Sequence, residues 1–306
     1  MTAFVEISCR TSEEGGDIDP MKAWLSLPAL RGTQHLIFLI HGYNNTLAEA
    51  KDAYQSLDQF QRAQAGAGRD WAFGATVVPV FWPGDARWGL LRPTYYPFAL
   101  PKADQTADIL GEILTDLLGF AGGMLTVDLV AHSMGNRIGL RMQSLVAGTA
   151  GLLVRRSVHM ASAVPTRRLE RAADGLSRGL DAETREGKAA SLYSEDDGVI
   201  AYAFPVGETA DFPDEGVLPV ALGHCDWPLG HGRTNFTQWN ASPAGHHDYW
   251  FGKAAQIEVH DVLDLGVVGP RELVSHDTPA APPMEPRELA VRLTQSRGVG
   301  DDLAGI

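Results

Sequence analysis

The chain has 306 residues, of which 44% are hydrophobic and 21% charged, with a formal net charge of −13. A globular chain of this length buries roughly 75% of its unfolded surface and needs no covalent staples. No basic stripe is present to neutralise phosphates, so nucleic acid is not an expected partner. Two distant cysteines, Cys9 and Cys225, do not make a disulfide framework. The N-terminus lacks a basic, then apolar, leader, and no apolar run reaches the ~20 residues of a membrane span, so a soluble, cytoplasmic protein is expected.

In chain order, "FVEISCR" and "AWLSL" read as strands at one sheet edge, with antiparallel pairing expected. "HLIFLI" (35–40) is a continuous apolar run and reads as a buried strand, closed by "HGYNN". Thr46 and Glu49 have capping-box spacing, and Leu47, Ala50, Ala53, Tyr54, Leu57 and Phe60 then recur at helical intervals. "ATVVPVFW" (75–82) is a second strand. A proline-rich connection follows, and a helix is expected from about Asp104, with Ile109, Leu110, Ile113, Leu114, Leu117 and Leu118 on one side. "LTVDLV" (125–130) is a third strand and "MGNRIGLRMQSLV" the helix after it. "VRRSVHMAS" (154–162), "AASLYS" (189–194) and, more weakly, "NFTQWN" (235–240) read as further strands. Continuous apolar strands alternating with amphipathic helices predict an α/β fold with a parallel sheet covered on both faces. The tail is proline-rich and has little to bury. The expected division is a domain over 1–253 and an extension over 254–306.

In an open parallel sheet, ligands gather outside the carboxyl ends of the strands. Four segments fall there: "HGYNN", "AHSMG", "EDD" and "GHHDYW". In "LVAHSMGNR", Ser133 ends a strand and opens a helix, with Ala131 and Gly135 flanking it. A tight strand–turn–helix needs small residues at those two places, and it projects the serine above the sheet. The bland reading is a helix cap. The sharper one is a nucleophile with the Met134 N–H beside it at a helix N-terminus, where an oxyanion is stabilised. A serine hydroxyl needs a base, and the base an orienting acid. Asp197 (rival Asp196) and His246 (rival His247) follow in that order. The first strand's loop offers the Tyr43 N–H as a second oxyanion donor, with Gly42 letting the backbone turn and His41 holding the loop. Asn44 and Asn45 shape the turn.

The segments "LIHGYNNT", "VFWPGD", "LVAHSMGNR", "LYSEDDGVI" and "GHHDYW" together resemble the α/β-hydrolase superfamily. Within it they are similar to a bacterial family of serine hydrolases of largely unassigned function. The resemblance runs from about residue 35 to about 252. It implies a mostly parallel eight-stranded sheet, a Ser–Asp–His triad, hydrolysis of a small-molecule acyl substrate, and no metal or organic cofactor. Its acid pattern, Y-S-x-x-D-x-V, falls on Tyr193, Ser194, Asp197 and Val199. Its H-x-D-Y-W pattern falls on His246, Asp248, Tyr249 and Trp250. A carboxyl-ester hydrolase is the reading adopted. Thioesterase, amidase and acyltransferase share the constellation, and a catalytically silent binding protein is the rival of another class.

Two stretches fall outside that pattern. "GHCDWPLGH" offers His224, Cys225, Asp226 and His231 but lacks the paired spacings of a zinc site, so no metal is expected there. The connection 83–103 carries Trp88, Leu90, Leu91, Tyr95, Tyr96 and Phe98 and reads as a cap over an acyl pocket, against the plainer reading of packed core.

Overall fold

The computed structural model describes residues 3–13, 15–85, 96–211 and 219–263. Eight strands form one sheet: β1 (Ala3–Phe4), β2 (Ile7–Ser8), β5 (His35–Ile40), β6 (Thr76–Phe81), β7 (Leu125–His132), β8 (Leu152–Met160), β9 (Lys188–Tyr193) and β10 (Phe236–Asn240). Across the sheet the order is β1-β6-β5-β7-β8-β9-β10, with β2 also on β6, and every pairing is parallel. All six residues of β6 are buried, as are the last five of β5, because helices cover both faces. Each fully buried Val, Leu or Ile there contributes on the order of 1.5–3 kcal/mol.

The connections explain which helix lies where. Helix α3 (Leu47–Ala65) links β5 to β6 on one side. Helix α4 (Tyr96–Phe120) links β6 back past β5 to β7, and α5 (Gly135–Val146) links β7 to β8. Right-handed crossovers running in opposite directions put α3 on one face and α4 and α5 on the other. The packing agrees. Helix α5 lies against α4 and α7 (Gly175–Glu186), whereas α3 meets α9 (Lys253–Val262). This is the α/β-hydrolase arrangement, and the direction in which successive connections step across the sheet reverses between β5 and β7.

The N-terminal segment departs from expectation. "FVEIS" pairs parallel to β6, not antiparallel. "AWLSL" is not a strand: it falls on α1 (Pro20–Trp24) and α2 (Leu27–Leu30). Asp19 caps α1 by accepting the Lys22 N–H at 3.3 Å, and Pro20 opens it with a preset φ. A hairpin, β3 (Arg10–Ser12) with β4 (Gly15–Ile18), and these two helices supply the return that a parallel pairing needs.

Helix α4 also starts at Tyr96, before the expected Asp104. Pro101 lacks one helical donor, but buried Tyr96, Ala99, Leu100 and Ala103 anchor the extra turns. Thr46 and Glu49 form the expected capping box. Beyond 253, helix α9 buries Ala255, Gln256, Val259 and His260, so packed chain continues past that boundary. His260 Nδ1 lies 2.6 Å from Gln61 Oε1, tying α9 to α3. The rest of the extension lies outside the described residues. None of the described helices is long and apolar enough to cross a membrane.

Candidate active site

Strand β5 pairs with β7 so that Ile40 faces Ala131, which sets the loops after both strands side by side at the reversal point. Ser133 sits in the turn between β7 and α5 with φ of +53°, a left-handed backbone unusual for a residue with a side chain. Its N–H is held by the Met160 carbonyl at 2.9 Å. A Cβ on Gly135 would lie 2.6 Å from the carbonyl oxygens of both Ile40 and His41. The turn can therefore approach β5 only with glycine at that place. Met134 is the N-cap of α5, where a helix's first N–H groups have no intrahelical acceptor.

Ser133, Asp197 and His246 come together from loops after three strands. His246 Nε2 is 3.1 Å from Ser133 Oγ, and its Nδ1 is 2.8 Å from Asp197 Oδ2. A carboxylate only accepts, so Nδ1 carries the proton and Nε2 is left to accept from the serine hydroxyl. The other Asp197 oxygen accepts the N–H groups of Val199 and Ile200 at 3.0 and 3.1 Å. These belong to a π-helix, Val199–Ala203, that leads into α8 (Phe204–Asp211). Asp197 is fully buried, which gives its charge little competition from water. The rivals are elsewhere: Asp196 and His247 are both exposed.

The loop after β5 is built on His41. Its Nδ1 is 2.9 Å from the Gly42 carbonyl, and its Nε2 accepts the Trp82 N–H at 3.3 Å. The ring is fully buried and stacks on the Trp82 indole, with centroids 5.6 Å apart. Burial pulls its pKa down to about 3, so it stays neutral and keeps this donor–acceptor pattern. A Cβ on Gly42 would fall 2.7 Å from the Ser133 Cβ, which measures how closely the loop approaches the serine. Asn44 has φ of +63°, as expected of a turn-forming residue, and Asn45 is buried.

Sequence reasoning missed a buried polar chain beneath the turn. Asn136 Nδ2 donates to the carbonyls of Ser133 and Met160 at 3.0 and 3.1 Å. That fixes its amide orientation, and its Oδ1 then faces His159 Nδ1 at 2.9 Å. His159 Nε2 lies 2.7 Å from Glu183 Oε2, and Gln143 donates to the other Glu183 oxygen. Partners 23 and 24 residues apart leave no local signature. Only the polar residues inside an apolar strand and helix hinted at it. His132 was missed too: its Nε2 lies 2.7 Å from the His246 carbonyl oxygen.

Of the expected cap residues, Trp88, Leu90, Leu91 and Tyr95 lie outside the described residues. Tyr96 is buried at the start of α4, edge-on to Tyr43 with ring centroids 5.8 Å apart. Phe98, also on α4, is 70% exposed. In the 223–231 loop, His231 Nε2 pairs with Asp226 at 2.8 Å. Among the described residues, no group of three His, Cys, Asp or Glu side chains is placed to hold a metal ion.

No protein-family model matches the chain, and no curated protein sequence does. Its fold is similar to the lin2722 gene product of Listeria innocua, at 14% identity and a TM-score of 0.45, covering 77% of this chain and 96% of that one. It is also similar to an esterase of Pyrobaculum calidifontis, at 14% identity, a TM-score of 0.39 and 76% coverage of each chain. Likenesses this distant carry nothing about chemistry, which rests on the site itself.

Proposed function

We propose that the protein is a serine hydrolase of carboxylic esters. One observation carries this reading: the unbroken hydrogen-bonded line from Ser133 Oγ through both ring nitrogens of His246 to buried Asp197. In it, His246 takes the hydroxyl proton as Ser133 attacks the acyl carbonyl. Asp197 holds the imidazole tautomer and stabilises the imidazolium. The Met134 and Tyr43 N–H groups receive the oxyanion, a contribution of about 2.7–4 kcal/mol per donor in such sites. His246 then protonates the leaving alcohol. A water deprotonated by the same ring releases the acid and frees Ser133.

Residues 86–95 of the connection expected to cap the acyl pocket lie outside the described residues. Of its side chains, Tyr96, edge-on to Tyr43 with ring centroids 5.8 Å apart, belongs to the same proposal as part of the pocket wall. The test is turnover of short- and medium-chain p-nitrophenyl esters beside labelling with a fluorophosphonate. Ser133→Ala is expected to fold and to lose both signals. Ester turnover that survives in Ser133→Ala removes the serine from the mechanism. A native chain that the probe does not label favours a binding protein. Thioester and amide substrates in the same panel decide the acyl linkage.

A further inference from the structure

The Tyr43 N–H is useful only if its loop is held still, and the structure shows what holds it. On the near side of Tyr43, the Trp82 N–H reaches His41 Nε2 at 3.3 Å, and the Trp82 indole N–H reaches the His41 carbonyl at 2.9 Å. On the far side, the Asn44 N–H reaches the Gly84 carbonyl at 2.6 Å. The loop is thus fastened before and after Tyr43 to a single turn, residues 82–85. That turn is tight: the Gly84 N–H bonds the Trp82 carbonyl at 2.8 Å, and a Cβ on Gly84 would lie 2.6 Å from the Trp82 indole.

The turn is gripped in its own right by Arg10 of β3. Arg10 is 1% exposed. One end nitrogen donates to the Trp82 carbonyl at 3.4 Å. The other donates to the Glu13 carbonyl at 3.0 Å and to the Asp85 carboxylate, and Nε donates to the Ser12 carbonyl at 3.3 Å. A planar guanidinium with donors on every side can hold two ends of one turn and its own hairpin together, which an ammonium cannot. Asp85 is itself only 10% exposed, so the pair is not screened as a surface ion pair would be.

We infer that Arg10 and Asp85 are positioning residues for the oxyanion hole, setting the Tyr43 N–H through the 82–85 turn. This rests on the hydrolase reading above. It gives the N-terminal hairpin a role in transition-state stabilisation. A donor displaced from the developing oxyanion costs rate without costing substrate affinity, because the charge exists only in the transition state.

The experiment compares the full-length native chain with Arg10→Met and Asp85→Asn. It reads kcat and KM on one p-nitrophenyl ester, the rate of fluorophosphonate labelling, thermal melting, and amide hydrogen exchange over residues 41–45. Arg10→Met is expected to lower kcat and the labelling rate by about 10- to 100-fold while KM moves less than about threefold. Exchange should rise in 41–45 and stay unchanged in β5 and β7. Asp85→Asn, which keeps the shape and one hydrogen bond, should show a smaller shift of the same kind and guards against an Arg10 variant that does not fold. A labelled native chain with unchanged kcat and unchanged exchange in the variants overturns this inference and leaves the hydrolase reading intact. A general rise in exchange with proportionate loss of melting temperature also overturns it, because the pair is then merely structural. A native chain that neither labels nor turns over overturns the hydrolase reading and this inference with it.

Discussion

His132 Nε2 lies 2.7 Å from the backbone carbonyl oxygen of His246, so the residue before Ser133 holds the backbone of the residue whose ring meets the Ser133 hydroxyl. The two rings also lie 4.7 Å apart, tilted by 49°. His132 is buried, and burial first and the neighbouring His246 second hold its pKa well below the ordinary histidine value. It therefore remains neutral and keeps Nε2–H as a donor.

Removing that donor should loosen the His246 loop without touching the hydroxyl or the carboxylate. His132→Ala is expected to lower kcat by about 10- to 100-fold, the effect of a small misplacement of a reacting group. It should also cost about 1–3 kcal/mol of stability, because the His246 carbonyl loses its partner and a buried ring is lost. His132→Gln, whose amide N–H can reach the same carbonyl, should recover part of the rate. Steady-state kinetics and denaturant melts of both variants check this. Equal kcat in His132→Ala and the native chain would show that the hydrogen bond has no part in placing His246.

The three residues of the hydrogen-bonded line were legible in the sequence because each sits at a strand end and its position follows from local patterning. Ser133 follows an apolar strand and precedes a helix. Asp197 and His246 each follow a strand in the chain order that this fold imposes. The resemblance supported Asp197 and His246 over their rivals Asp196 and His247, and the structure leaves both rivals exposed. Strands β5, β6, β7 and β9 were legible because runs buried on both faces are nearly continuous apolar sequence. What was not legible is long-range. The partners of Arg10 are set by a turn 72 to 75 residues away. The direction of β1 and β2 depends on how the chain returns after them, which their own residues do not encode. The early start of α4 defied a sound local rule about proline, since burial of Tyr96 and Leu100 outweighs one lost hydrogen bond.

Two glycines should be intolerant for different reasons. Gly135→Ala would drive a methyl against two backbone carbonyls at 2.6 Å, neither of which can swing aside. It is expected to destabilise the fold by about 1–3 kcal/mol or more and to displace the turn that carries Ser133. Gly42→Ala instead meets the Ser133 Cβ at 2.7 Å and the His132 Nδ1 at 2.9 Å. Its effect should be weighted toward activity, since the groups pushed are the serine and the ring that holds His246. The check is the ratio of lost kcat/KM to lost stability in the two variants. Gly42→Ala should show the larger ratio, and equal ratios would mean that the close approach of this loop to Ser133 has no catalytic consequence.

Two buried histidines should also make stability depend on pH below neutrality. His41 is depressed to about 3 by burial, with the nearby Arg10 charge adding a smaller push in the same direction against its bond to the Gly42 carbonyl. His132 is depressed in the same sense, by burial first and by the neighbouring histidines after it. In the unfolded chain both titrate near 6.5. Below that pH the unfolded state binds protons that the native state does not, so stability falls as pH falls. The slope is about 1.4 kcal/mol per pH unit for each group once it is fully protonated when unfolded. For His41 the loss begins near pH 6.5 and continues toward about pH 3, and the contribution is fully present above pH 7. Urea melts at pH 7.5, 6.0 and 5.0 should therefore show a declining free energy of unfolding. His41→Gln, which cannot titrate, should be less stable than the native chain at pH 7.5 but should lose less between pH 6.0 and 5.0. A His41→Gln variant whose pH slope matches that of the native chain would mean that His41 is not held neutral, and the buried ring stacked on Trp82 could not then be the fixed support of the loop that carries Tyr43.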